Sequence, residues 1–345
     1  MPMKSEEKMK FKLQFFIILF LCSCLLNTNS LYSQETKPIQ ISFNHNTYDL
    51  YPRTFSKLPK IPSPITANNG MEIVICFTHD NRYCLIPVTH ENGEPSDYKN
   101  HQWYEKGRQL DVDSSDFPTL ARTGLHSEKE LNQTKTIKGK PVSEITQIGR
   151  PEAYSSAGFM SNDEDIISVL KGDNKLVTML GSTHRQIVKP LFHVFNVILT
   201  VKKDCERRNI KGIIYNNKKI YLKFWGSKGW QKSIFNDEIL GYWEIEIWRD
   251  FDQEEKSFLS GKYSNLAKEK MAELKKKLSY IHTGEMVPYY IMRYGFYEGH
   301  TSYRADPIAI AFIFGLRSIQ EIERSFEGKL YENLTNHFSE ESIRK

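Results

Sequence analysis

The sequence predicts an α+β fold, with a hairpin-rich N-terminal half and a mostly helical C-terminal half packed as one compact unit. Three observations predict it. Short apolar runs separated by turn residues occupy 71–89 and recur at 211–249, the signature of hairpins. Apolar stripes of helical period, opened by capping boxes at Ser161 and Ser318, fill much of the second half. Composition is that of an ordinary globule, 39% hydrophobic and 26% charged over 345 residues, enough for one large domain or two ordinary ones. The organisation read from these features is a signal peptide (1–33), a Pro-containing extended arm (34–70) and a single α+β domain (71–345) with a sub-boundary near 160.

The first segment directs the chain out of the cytoplasm. Lys10 and Lys12 precede an apolar run from Phe15 to Leu26, followed by the polar stretch Asn27–Gln34. A run this short falls below the roughly 20 residues a spanning helix needs and reads as a cleavable secretory signal, with Met9 as a natural start and cleavage after Ser33. The alternative is a lipoprotein: Leu21-Cys22-Ser23-Cys24 resembles a lipobox, and only lipidation at Cys24 would give the protein a membrane as partner. Secreted or periplasmic localisation follows, with a membrane-anchored lipoprotein as the other form. Removing 1–33 takes away four lysines and two glutamates, so the formal charge of +5 falls to about +3, too weak to imply nucleic acid.

Removal also leaves Cys76, Cys84 and Cys205. Cys76 and Cys84 flank a turn at His79-Asp80-Asn81-Arg82. A three-residue loop at His79–Asn81 places them opposite each other on one face, where a disulfide is possible; a two-residue loop sends them to opposite faces.

Further elements follow in order. Residues 34–70 hold Pro38, Pro52, Pro59, Pro62 and Pro64, which forbid long helices. Residues 90–150 show no sustained periodicity and predict loops and short strands, mobile over Gly124–Lys140. A helix opens after Ser161-Asn162-Asp163-Glu164 and closes at Gly172; a second runs from Leu191 to about Cys205, with Pro190 in its first turn. Asn216-Asn217 separates two β runs, and Tyr242–Arg249 alternates, with Glu244 and Glu246 on one face. From Lys262 a stripe of Leu266, Met271, Leu274, Leu278 and Ile281 predicts a helix. Asp306-Pro307 and Ser318-Ile319-Gln320-Glu321 open two more.

The densest concentration of functional side chains is Tyr289–Asp306. It holds Tyr289, Tyr290, Arg293, Tyr294, Tyr297 and Tyr303, a set suited to a polar ligand such as a glycan or peptide: tyrosine offers a flat apolar face and a hydroxyl, arginine a planar fork. The alternative is a hydrolase using His184 or His300 with Glu298 and Arg304, since a histidine beside a carboxylate can serve as general base. A third reading is a non-catalytic protein-interaction module. His193, among apolar residues, reads as a core histidine. Glu244 and Glu246 have the side-by-side placement used in glycoside hydrolysis but read as a solvated strand face. Trp225–Trp230 is an aromatic-edged loop able to stack on sugar rings or to close a hairpin. No metal-ligand spacing, nucleophile elbow, P-loop or dinucleotide glycine pattern is present, so no metal is assigned and the cofactor is unknown.

Overall fold

The computed structural model describes residues 39–43, 46–50, 55–89, 124–203, 210–237 and 239–336; the segment 1–33 expected to be a signal, with Cys24, and Cys205 lie outside them. The arm is extended where it is described: β1 (Ile39–Phe43) and β2 (Asn46–Leu50) form a two-stranded sheet, and β3 (Ile65–Thr66) joins the main sheet. β4 (Glu72–Thr78) and β5 (Tyr83–Pro87) form the first hairpin. Its turn is the three-residue loop His79–Asn81: Phe77 pairs with Tyr83, the Thr78 N–H donates to the Arg82 carbonyl, and Asn81 takes a left-handed φ of 59°. Cys76 therefore faces Cys84, both buried. Ladder bonds at Thr78–Arg82 and Glu72–Val88 make this a hydrogen-bonded pair. That holds the Cβ atoms near the far end of the roughly 4.5–5.5 Å range, beyond the roughly 3.5–4.5 Å of a disulfide.

The stretch expected to be loops carries α1 (Glu128–Gln133), the short hairpin β6 (Thr136–Ile137) and β7 (Lys140–Pro141), and α2 (Val142–Gly149). Leu131, Ile137 and Ile145 are buried; apolar residues this sparse show no period yet suffice to dock short elements. α3 (Ile166–Met179) does not close at Gly172. A mid-helix glycine costs about 1 kcal/mol, and burial of Leu176 and Val177 beyond it outweighs that. α4 (His184–Lys203) also starts earlier than expected, so Pro190 lies inside it; the fixed φ of proline is helical, and the missing N–H deprives only the Gln186 carbonyl of its usual donor.

β8 (Ile210–Tyr215), β9 (Lys218–Lys232) and β10 (Leu240–Trp248) follow. Asn216 and Asn217 both have positive φ, 46° and 61°, as a two-residue hairpin turn requires. Trp225–Trp230 is part of β9, not a loop. A helix that the sequence reading missed, α5 (Gln253–Lys262), is opened by a capping box of Asp252 and Glu255. α6 (Lys268–Ser279) ends before Ile281, which belongs to β11 (Tyr280–Gly284) and pairs with Ile247. α7 (Val287–Tyr294), α8 (Pro307–Ile313), α9 (Ile319–Ser325) and α10 (Leu330–Asn336) complete the order, α8 and α9 capped by Asp306 and Ser318 as expected.

The main sheet is seven-stranded and antiparallel in its pairings, running β11-β10-β9-β8-β4. β5 lines one edge of β4, while β3 and β8 share the other: Ile73 pairs with Ile65, and Ile75 with Ile214. With the helices of the second half, this is the expected α+β class, residues 40–345 forming one compact unit. Two apolar clusters fill it. The larger joins β4, β5, β8 and β10 to α4 and α8; the smaller gathers Leu131–Leu170, Ile234–Ile239 and part of α7.

Candidate functional site

A cavity of about 330 Å³ opens where the irregular end of the β9–β10 pair meets the chain on either side of α7. Its construction begins with an irregularity. The β9–β10 register slips: Gly241 pairs with Gln231 but Trp243 with Gly226, so Tyr242 of β10 stands opposite residues 227–230 of β9, which bulges there, the kind of irregularity found beside functional sites. The N–H groups of Tyr242 and Trp243 donate instead to Glu285 Oε2, at 2.8 and 3.3 Å, and the carboxylate of Glu285 is itself buried. On β9, residue 226 must be glycine: a Cβ there would lie 2.6 Å from the Tyr242 ring. Trp243 and Glu244, consecutive on β10, both line the cavity.

Aromatic rings form one wall. Trp230 packs 5.2 Å from Tyr242, which meets Trp243 edge-on at 5.3 Å. Trp230 keeps 64% of its surface exposed at the rim. Across from them stand Tyr303 and, behind it, His282, with ring centroids 4.5 Å apart. Ser155–Ala157 closes a third side, and among the described residues no Lys, Arg or His lines the cavity.

Two carboxyl groups besides Glu285 face this space. Glu298 follows the end of α7, is only 4% exposed, and has a left-handed φ of 66°, a conformation that costs a non-glycine residue. The surrounding chain holds it there. Thr301 Oγ1 donates to its Oε2 at 2.9 Å, Arg304 donates to its backbone carbonyl, and the next N–H, of Gly299, bonds the Phe159 carbonyl at 2.8 Å. Gly299 is required because a Cβ would lie 2.2 Å from Glu164 Oε2. Burial pushes the Glu298 carboxyl up to about 8, against the opposing pull of Thr301 and Arg304. Glu244 is anchored through Oε2, which accepts from Tyr303 Oη at 3.3 Å and His282 Nε2 at 3.2 Å. Among the described residues, no donor bonds Oε1 of Glu298 or of Glu244.

The residues singled out from sequence are dispersed. Of the five tyrosines, Tyr303 alone lines this cavity; Tyr289, Tyr290, Tyr294 and Tyr297 have no exposed surface. Tyr294 stacks on Phe235 at 4.0 Å and donates to Asp237, and Arg293 is buried beside it. His184 is enclosed: Asn174 Oδ1, 3.2 Å away, can only accept, so Nε2 carries the proton and Nδ1 accepts from Tyr297 Oη at 3.1 Å. Burial and the neighbouring His126 keep this imidazole neutral. His193 is a core histidine bonded to Glu72 at 2.9 Å. Arg304 reaches Asp173 at 2.6 Å, and burial lifts that aspartate to about 7 despite the pairing. His300 is exposed and bonds Glu164 at 2.8 Å. Burial opposes ionisation of Glu164, but His300 and the backbone N–H groups of Ser161 and His300 prevail, bringing it to about 2. Glu298 is thus the one member of the expected hydrolase set at the cavity.

Glu244, Glu285 and Trp243 were not assigned to a site from sequence, and only the Trp225–Trp230 run hinted at Trp230. Among the described residues no three His, Cys, Asp or Glu side chains converge as a metal ion would need, and no helix is long and apolar enough to cross a membrane. Compared with protein-family profiles, curated proteins and solved structures, the chain matches none.

Proposed function

We propose that this is an exported cell-envelope or secreted protein that binds a neutral, hydroxyl-rich ligand of the glycan class in the 330 Å³ cavity. The observation that carries the reading is the pairing of an aromatic wall with carboxyl acceptors in one concave site that, among the described residues, has no cationic side chain. Ring faces pack against the apolar C–H faces of sugars, and carboxyl oxygens accept from sugar hydroxyls. An anionic ligand would meet no counter-charge there. A cationic one would find less charge than three carboxyls suggest, since burial keeps Glu298 protonated at neutral pH, and the donors on Glu244 and Glu285 already occupy one oxygen of each. Export rests on the basic, apolar and polar layout of residues 1–33. The segment 289–306 contributes Glu298 and Tyr303, its other tyrosines serving the core.

Tryptophan fluorescence titration with a panel of soluble polysaccharides and oligosaccharides tests the reading. Saturable quenching that is insensitive to salt, weakened at least tenfold by Trp230→Ala, is expected. Steeply salt-dependent binding of amines instead would assign the cavity to cationic ligands, and no binding by any glycan would refute the proposal.

A further inference from the structure

We propose that the cavity hydrolyses a glycosidic bond, with Glu298 as the proton donor to the leaving oxygen and Glu244 as the base that activates water. This rests on the glycan-binding reading above. Each carboxyl has one oxygen fixed by the protein and the other without a protein donor among the described residues: Thr301 holds Glu298 Oε2, while Tyr303 and His282 hold Glu244 Oε2. Anchoring one oxygen and presenting the other is what positioned acid–base catalysis asks of a carboxyl. The two environments differ in the required sense. Glu298 is 4% exposed and takes up its proton because burial disfavours the anion; the Glu244 side chain is 22% exposed and accepts from two donors. Two carboxyls of one cavity, one buried and one partly exposed and held by two donors, divide into acid and base by their surroundings. The left-handed backbone of Glu298, held by Arg304 and Phe159, is a strained conformation at the site of the proposed chemistry.

The step balances without a redox partner. The bond from the anomeric carbon to the leaving oxygen breaks, and that oxygen takes the Glu298 proton. The water oxygen bonds to the anomeric carbon, and its proton passes to Glu244. Exchange with solvent then returns a proton to Glu298 and removes one from Glu244. The products are a hemiacetal and an alcohol.

The test uses the full-length protein and the same polysaccharide panel, with binding read by tryptophan fluorescence and turnover by newly formed reducing ends. Turnover should fall about a thousandfold in Glu298→Gln and in Glu244→Gln, with quenching by substrate retained within a fewfold. It should be unchanged in Glu246→Gln, whose side chain, on the same strand as Glu244, accepts from Tyr280 of β11 and does not line the cavity. The wild-type rate should fall as pH rises past 8, where Glu298 loses its proton. A polysaccharide that binds without release of reducing ends, or a Glu298→Gln protein turning over within tenfold of wild type, would overturn the hydrolytic assignment and leave the binding reading standing. Absence of all glycan binding would remove both.

Discussion

Glu298 combines a left-handed backbone with a carboxyl that burial keeps protonated near neutral pH, and both features bear on stability. In the unfolded chain a glutamate titrates at about 4.3; in the fold this one titrates at about 8. Between those values the native state holds a proton that the unfolded state has lost. The contribution is therefore fully present below the unfolded value and is lost as pH rises through 8, at roughly 1.4 kcal/mol per pH unit. Glu298→Gln has no proton to lose. Urea denaturation at pH 5 and pH 8 should show the variant gaining a few kcal/mol on wild type between the two conditions; an unchanged difference would mean that Glu298 is ionised in the fold. The sequence shows Glu298 plainly, in a segment rich in tyrosine and arginine between Gly295 and Gly299. It does not show its partner. Alternation along Tyr242–Arg249 pairs Glu244 with Glu246, yet Glu244 turns to the cavity while Glu246 bonds Tyr280 and Lys223 on the open side of the sheet. Which of two same-face carboxylates meets a cavity depends on what crosses that face, and those groups, Tyr303 and His282, lie far along the chain.

The bulge of β9 opposite Tyr242 lies beside the aromatic wall, and Glu285 holds the β10 backbone there. Replacing Glu285 by alanine leaves the N–H groups of Tyr242 and Trp243 without their acceptor. At about 1–3 kcal/mol for each buried group left unsatisfied, two such groups would cost about 2–6 kcal/mol, and because these two are partly buried the loss should lie toward the lower end. Glu285→Gln keeps an acceptor oxygen and should lose less. Denaturant midpoints at constant slope check both; an alanine variant within about 0.5 kcal/mol of wild type would mean that water takes over both N–H groups. A period-two pattern assumes regular pairing, so the bulge is invisible to it. β11 is hidden for a related reason: Ile281 continues the helical stripe of Leu274 and Leu278, and only its pairing with Ile247 makes it a strand. Elements carrying their own local chemistry were legible. The hairpin around His79–Arg82, though not its loop length, the Asn216-Asn217 turn and the caps at Asp306 and Ser318 form from contacts within a few residues, which sequence contains directly.

The tyrosine-rich segment owes its composition to the position of α7 between the two apolar clusters. Val287, Ile291 and Met292 belong to the larger, Tyr289, Tyr290 and Tyr294 to the smaller, and every residue of the helix is buried. A helix buried on all sides has no polar face to set a period, so sequence marks it as unusual without distinguishing a binding surface from a core element. The same placement couples the site to the whole fold. The chain enters α7 from Gly284–Met286 and leaves it toward Glu298, both at the cavity, so the site can form only when α7 is seated against both clusters. Tyr294→Ala removes the ring stacked 4.0 Å from Phe235 in the smaller cluster and should cost about 3–5 kcal/mol, as a large-to-small aromatic core substitution does. Because α7 joins the clusters, the loss should be shared. Thermal unfolding followed by tryptophan fluorescence, which senses Trp230 and Trp243 at the cavity, and by far-ultraviolet circular dichroism, which senses the helices, should shift down together as one transition. A fluorescence transition that separates from the circular dichroism transition in the variant would show that the smaller cluster opens by itself, and that the cavity is a locally stabilised site.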